Sequence, residues 1–480
     1  MTRILFYYRG FAALLCLFVA MPVMASSFRV QCPATTSLHP NVPLMDALGN
    51  PIEDPAHPGF VKCQEISGTD GFATMGDGNQ IYLFGFGALS GRQAIESGLS
   101  GTVPSSIFNN PASANAGSIE PADIMNKGIL AANAPGPMMS IDEDDELFLT
   151  LSNVGMIMRP DLFEQHTIHF HGYPNASSFF DGVPDASVAI NIAGSFTYYY
   201  TAPDAGTYFF HCHITPPEHL QMGMEGQLYV RPRQNRVAAG QDLGAALLTA
   251  NKNNPGANGV SCSDILCTGQ TPLPATANPA TGISGVVQPV SGAKYAYNDG
   301  DGSTRYDVEY PIQLMGFDPN FHYIGMTFNP EAFVDMKDKY FLMSGRSYPD
   351  TVNPAPISTL GADGVQRIAQ PQPTLITLAQ GQRALLRISD LNITEFHTLS
   401  TVGIPMLVIA EDARLLRDMA GKNMYYTSNS VTLGGGESKD VILDASNVPK
   451  GTYFLYTTNL DHLSNDAENF GGMMTEIVVN

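Results

Sequence analysis

The chain has 480 residues, of which 44% are hydrophobic and only 14% charged, with a formal net charge of −21. That length predicts two or three domains with sizeable cores, and the acidic balance argues against nucleic acid or an anionic membrane as partner. No apolar run in its body is long enough to span a bilayer, and 46 glycines with 34 prolines lean towards short strands and many turns.

In chain order, residues 1–25 read as a signal peptide. Arg3 and Arg9 give a basic start, Phe11 to Val19 is apolar, and Val23-Met24-Ala25 ends on a small residue at the cleavage position. The expected product is an exported protein, periplasmic or secreted, that starts near Ser26. Cys16 leaves with the leader. By proximity, Cys32 with Cys63 and Cys262 with Cys267 are candidate disulfides, and three connectivities stay open for four cysteines.

Residues 26–130 are rich in Gly, Pro, Asn and Ser, and within them Gln80 to Gly87 reads as a strand. Met139 to Asn153 ends in a half-buried alternation, and its acidic run Asp142 to Glu146 reads as a solvated strand edge. Gln165 to Gly172 (QHTIHFHG) follows, then strands at Val188 to Ile192 and Ser195 to Thr201. Thr207 to Met224 reads TYFFHCHITPPEHLQMGM, and Gly226 to Val230 closes this first unit. Residues 233–300, rich in Ala, Asn, Gly, Pro and Thr, read as a long surface linker.

The remainder repeats the first unit in outline. Pro373 to Asp390 resembles the Pro137 to Asn153 region. Asn392 to Thr398 (NITEFHT) falls where HTIHFHG falls, Gly451 to His462 where GTYFFHCHITPPEH falls, and Gly472-Met473 where Gly223-Met224 falls. A repeat of this size, all strands and turns, predicts two similar β-domains, residues 26–232 and 301–480.

Side chains alternate faces along a strand, so in HCH the histidines His211 and His213 share one face and Cys212 points to the other. In HTIHFHG, His169 and His171 share a face and His166 lies opposite. Pairing the two strands predicts two sites. One holds His166, Cys212, His219 and Met224; the other holds His169, His171, His211 and His213. Two imidazoles, a thiolate and a thioether are the ligand set of an electron-transferring blue copper, whereas zinc suits a thioether poorly. Four histidines on the other face form a second copper candidate, joined to the first through the Cys212 backbone.

These two motifs resemble those of the multicopper oxidases: laccases, ascorbate oxidase and ceruloplasmin. The resemblance implies an all-β chain of two cupredoxin-like Greek-key sandwiches. It also implies a type 1 copper on His166, Cys212, His219 and Met224, and a type 2/type 3-like site on the other four histidines where O2 is reduced. It extends to copper nitrite reductases, which also have two cupredoxin domains.

The second unit departs from the pattern. Asn392 and Glu395 stand where the type 1 histidine and the first cluster histidine would be, and Tyr456, Thr457 and Thr458 stand where HCH stood. Only His397, with Glu395 as a second candidate, is left to complete a cluster. In two-domain relatives that site lies between subunits of a trimer, so the resemblance implies a homotrimer with His397 supplied by a neighbour.

The expectation is a copper-dependent oxidase that takes single electrons from a small-molecule, metal-ion or protein donor near His219 and passes them to O2. A copper-binding electron-transfer protein without catalysis and a nitrite-reductase-like enzyme are the alternatives.

Overall fold

The computed structural model describes residues 28–172, 177–202, 204–247, 287–327, 332–418 and 422–480. The expected signal peptide and the Cys262/Cys267 pair lie outside them. The fold is all-β, as expected, and consists of two sandwiches; only the strands used below are named.

In the first unit, β1 (Val61–Thr74), β2 (Gln80–Ala88), β4 (Glu146–Gly155) and β6 (Ser195–Thr201) form one sheet in the order β2-β1-β4-β6. The facing sheet runs β3 (Met139–Asp142), β8 (Glu225–Arg231), β7 (Gly206–His211) and β5 (His169–His171). β3 and β8 pair in parallel and the others antiparallel. The core between the sheets is aliphatic and aromatic, with Phe84, Leu149, Tyr198, Phe210 and Leu228 all fully buried, and Cys212, Met222 and Met224 belong to the same cluster.

The second unit repeats this plan. β11 (Ile376–Leu378), β18 (Met474–Val479), β17 (Gly451–Thr457), β13 (His397–Thr401) and β15 (Ser430–Leu433) form one sheet in that order. Again the first pair is parallel and the next two antiparallel. The facing sheet runs β14 (Met406–Glu411), β16 (Glu437–Asp444), β12 (Arg383–Asp390), β9 (Val308–Phe317) and β10 (Tyr340–Met343).

Four sequence expectations change. β1 lay in a region without visible period, because nearly every residue of Val61–Thr74 is buried, Glu65 and Asp70 included, so no alternation is written into it. Val188 to Ile192 forms no strand; only Ile190 bridges to His166. Within the expected solvated edge, Glu143, Asp145 and Glu146 are each 1% exposed. Asn298 Nδ2 donates to both oxygens of Glu143, at 2.8 and 2.7 Å, and His39 Nδ1 lies 2.7 Å from Glu146 Oε2. The expected surface linker is buried at its ends, where Tyr295 to Asp299 pack inward and Tyr297 bonds Asp440. Polar turn-forming residues hid that contact from a compositional reading.

The N-terminal strap is tied to β1 by the Cys32–Cys63 disulfide, across a sequence separation of 31 residues. Closing a loop of that size restricts the unfolded chain, and replacing both cysteines by serine should lower the unfolding free energy by about 3 kcal/mol in denaturant titrations.

Candidate metal centre

β7 and β5 carry the chemistry, and their register decides it. His211 pairs with His169, Phe210 with Phe170 and Phe209 with His171. The ladder continues past the strand, where Cys212 N–H donates to Met224 C=O at 3.0 Å and Met224 N–H donates to His219 C=O at 2.8 Å. Residues directly opposite each other share a face. His169, His171 and His211 therefore converge on one side, and Cys212 turns into the core on the other.

On the core side, Cys212 Sγ lies 3.2 Å from His219 Nδ1 and 3.8 Å from His166 Nδ1. The three donor atoms fall within 4.8 Å of one another and all three residues are buried. His219 is placed by the short helix α1 (Pro216–Gln221), which begins on two prolines after Thr215 in the left-handed conformation. His166 is fixed from below by Gly68, where a Cβ would stand 2.6 Å from its Cδ2. Thr167 N–H points at the sulfur from 3.4 Å, and Phe84 meets His219 edge-on at 5.9 Å. Met224 is fully buried in the same cluster.

On the other side, His171 Nε2 and His211 Nε2 approach to 3.0 Å. The Nδ1 atoms of His169 and His211 are turned away, facing the backbone oxygens of Asp181 at 2.7 Å and Cys212 at 2.8 Å. His169, His171 and His211 form a second three-donor group within 4.8 Å. The His213 ring lies 5.0 Å from that of His169 and stacks on His211 at 5.6 Å.

A cavity of about 330 Å³ opens over this pair. Its walls are His171, His211 and Leu220 from the first unit, with Asn392, Glu395 and Gly436 from the second. The histidine face is thus covered by the chain's own second unit.

Burial sets the protonation state. It lowers His219 and His211 to about 3 and His171 to about 4, with neighbouring imidazoles adding to the effect for His171 and His211. It lowers His166 too, and pushes the Cys212 thiol up to about 11. Without a cation the imidazoles are neutral, which is their ligating form, and the thiol keeps its proton. The chemistry of the donors fits copper: a soft thiolate and thioether with two imidazoles on one face, and imidazoles alone on the other.

His397 is elsewhere. Its Nδ1 lies 3.2 Å from Asp390 Oδ2, Asn392 Nδ2 approaches its Nε2 at 3.4 Å, and its ring stands edge-on to His462 at 5.5 Å. Among the described residues it joins neither three-donor group. The strand pairing gives the reason. Leu455 occupies the place of Phe210, and the residue opposite it is Thr401, five positions beyond Phe396, its counterpart in the sequence repeat. The strand has slipped relative to the repeat, so Asn392 to Phe396 precede β13, and His397 opens it opposite Leu433 of β15, outside the β13/β17 pairing. His462 is buried there and lies 2.9 Å from Glu395 Oε2.

The two donor sets fit copper, and the chain is similar to known copper proteins. Residues 114–235 match the family model for multicopper oxidases. Laccase abr2 of Aspergillus fumigatus is 34% identical over 104 residues, 21% of this chain and 16% of that protein. A copper-containing nitrite reductase of Neorhizobium galegae is 35% identical over 104 residues, 21% of this chain and 24% of that protein. The chain matches about a sixth of the length of its multicopper oxidase relatives from Aspergillus fumigatus and Talaromyces pinophilus. Among solved structures, the blue copper oxidase of Nitrosomonas europaea covers 87% of this chain, and 85% of its own length is covered (TM-score 0.51, 18% identity). The multicopper oxidase mgLAC also covers 87%, with 86% of its own chain covered (TM-score 0.52, 17% identity). At those identities the solved structures establish the fold.

Two outcomes follow. Gly68→Ala should push His166 off the sulfur and weaken copper uptake at the core site, read as loss of blue absorbance after copper loading, with His169, His171 and His211 undisturbed. The metal-free protein should also be acid-sensitive. His219 and His211 stay neutral in the fold down to about 3 but take up a proton near 6.5 when unfolded. Stability is therefore full above 6.5 and falls as pH drops from 6.5 towards 3, by about 1.4 kcal/mol per pH unit for each of them. A urea midpoint of the apo protein that stayed flat between pH 7 and pH 4.5 would contradict this.

Proposed function

We propose that this chain is a copper-dependent oxidase, with Cys212, His166, His219 and Met224 holding a type 1 copper and His169, His171, His211 and His213 holding a second copper site at which O2 is reduced. The observation that carries the reading is the position of Cys212. Its sulfur belongs to one donor set, and its own backbone is flanked by ligands of the other. Bound copper supplies one-electron redox chemistry at both places.

The chain's own residues do the rest. The aromatic core excludes water from the thiolate. α1 presents His219, whose Nε2 lies 3.8 Å from Glu164 Oε2 on the side away from the sulfur. Glu164 is partly exposed, which makes this edge the entry point for a one-electron donor, whether a small molecule, a metal ion or a small protein. The cavity between the units admits the acceptor to the edges of His171 and His211.

We carry the two domains, 26–232 and 301–480, forward as part of this reading, along with export to the periplasm or medium. Support for export is the Cys32–Cys63 disulfide, which persists in an oxidising compartment. No described helix is long and apolar enough to cross a membrane. The homotrimer is carried forward in a narrower form. His171 and His211 face this chain's own second unit, so a neighbouring subunit would meet the partly exposed His169 and His213.

Copper loading of the purified protein, followed by copper counting, visible and EPR spectra and uptake of O2 or nitrite with ascorbate, tests the proposal. The expected result is an intense blue band, more than one copper per chain and O2 uptake. One copper per chain with a blue band and no turnover would make it an electron carrier; nitrite consumption without O2 uptake would make it a nitrite reductase. Cys212→Ser should abolish the blue band and O2 uptake together.

A further inference from the structure

The seam between the two units is polar where sandwich faces are normally apolar. On β8 the residues Glu225, Gln227, Tyr229 and Arg231 alternate with core residues, and their side chains face β9 and β12 of the second unit. Gln227 Nε2 donates to Arg387 C=O and to Ser389 Oγ, both at 3.0 Å. Arg231 and Arg387 share the two oxygens of Glu309, at 2.9 and 3.1 Å, and the Arg387 guanidinium lies over the Tyr229 ring at 4.9 Å. Gln313 pairs with Ser389 across β9 and β12 and so shares its face.

This seam leaves an unusual set of side-chain atoms with no hydrogen-bond partner in the protein: Glu225 Oε2, Gln227 Oε1, both terminal atoms of Gln313, and Nη1 and Nη2 of Arg387. All four residues are 2% exposed or less. Six such atoms cannot be left dry in a stable fold, because each would forfeit its full desolvation penalty. They include donors and acceptors side by side, as bridging water requires.

The row has direction. At one end Arg231 is 31% exposed in its side chain. At the other, Glu225 is the cross-strand partner of His211 and shares its face. Six residues of strand separate the ends, about 20 Å.

The geometry points to a file of ordered water in the inter-unit seam, running from the Arg231 end past Arg387, Gln313 and Gln227 to Glu225, that delivers protons to the His171/His211 site. It rests on the oxidase reading above. Reduction of one O2 to two waters breaks the O–O bond and forms four O–H bonds. It consumes four electrons, from four one-electron oxidations of the donor, and four protons. The electrons arrive through the Cys212 side. The opposite side of the histidine face is where this seam ends, so the two supplies meet without crossing.

Gln313 and Gln227 are positioning residues here, and their test separates proton delivery from electron delivery. In the copper-loaded full-length protein, Gln227→Leu/Gln313→Leu would dry the middle of the file. Gln313→Met, which keeps the side-chain length, removes its two polar atoms with less change in packing. In both variants the blue band and its rate of anaerobic bleaching by ascorbate are expected to match wild type. O2 uptake should fall by about tenfold or more, with a larger solvent isotope effect in D2O. O2 uptake and isotope effect unchanged in both variants would overturn the proposal, as would an equal loss of anaerobic bleaching, which would make the seam a packing feature. A wild-type protein that bleaches but takes up no O2 would instead sink the oxidase reading itself.

Discussion

Everything in this chain depends on the two-residue period of a β-strand at one place. Cys212 enters the sandwich core, so the histidines on either side of it must leave by the opposite face. The same alternation on β5 puts Phe170 in the core between His169 and His171 on the outside. A slip of one residue in the β5/β7 register would exchange the two donor sets, placing imidazoles in an aromatic core and a thiol on the seam. The register is held by the apolar demand of that core, where Phe170 packs on Phe210 with ring centroids 5.4 Å apart. A hydrophobic contact thus fixes the position of both donor sets.

The second unit makes the outer face into a site. Without it His171 and His211 would be open to bulk water; with it they line a cavity closed by Asn392, Glu395 and Gly436. The joint between the units is held by Arg231, Arg387 and Glu309, an ionic triad that is largely buried; burial pushes the Glu309 carboxyl up, but the guanidinium groups of Arg387 and Arg231 outweigh it and hold Glu309 at about 2, so it stays charged. Such triads add little stability over an apolar contact of similar volume, but removing one partner costs about 3–5 kcal/mol. Their use here is geometric. A charged triad accepts one alignment of β8 against β9 and β12, where an apolar seam would tolerate sliding, and alignment is what the cavity needs.

Much of this was legible in the sequence, for a physical reason in each case. The placing of His169, His171 and His211 on the face opposite the Cys212 thiol followed from period-two alternation, because both motifs run through strands whose neighbours are strongly apolar. The repeat was legible from GTYFF in one unit and GTYFL in the other, which occupy corresponding central strands, β7 and β17. The limits are as informative. β1 is buried on both faces and shows no period. Glu143 and Glu146 are buried because Arg233, Asn298 and His39 reach them from distant parts of the chain, and no local pattern carries that. His397 marks a third limit. Similarity of sequence aligns residues, whereas strand register is set by which of them the sheet pairs, and at β13 the two differ.

That difference explains what the second unit has become. Freed from the sheet face, Asn392, Thr394 and Glu395 turn towards the joint. Asn392 and Thr394 bond Asp338, and Glu395 meets His462. His397 is held between Asp390 and Asn392, and Phe341 stacks on His462 at 3.9 Å. Thr457, buried where the repeat would place a cysteine, packs into the sheet with only a hydroxyl to offer. Asn392, Glu395, His397 and Thr457 thus have polar side-chain atoms committed to neighbours in the same unit. Among the described residues this unit forms no three-donor group of the first unit's kind, and Asn392, Thr394 and Glu395 form a hydrogen-bonded lip over His171 and His211. The slipped strand thus brings the second unit's Asn392 and Glu395 to the wall that encloses the first unit's histidines.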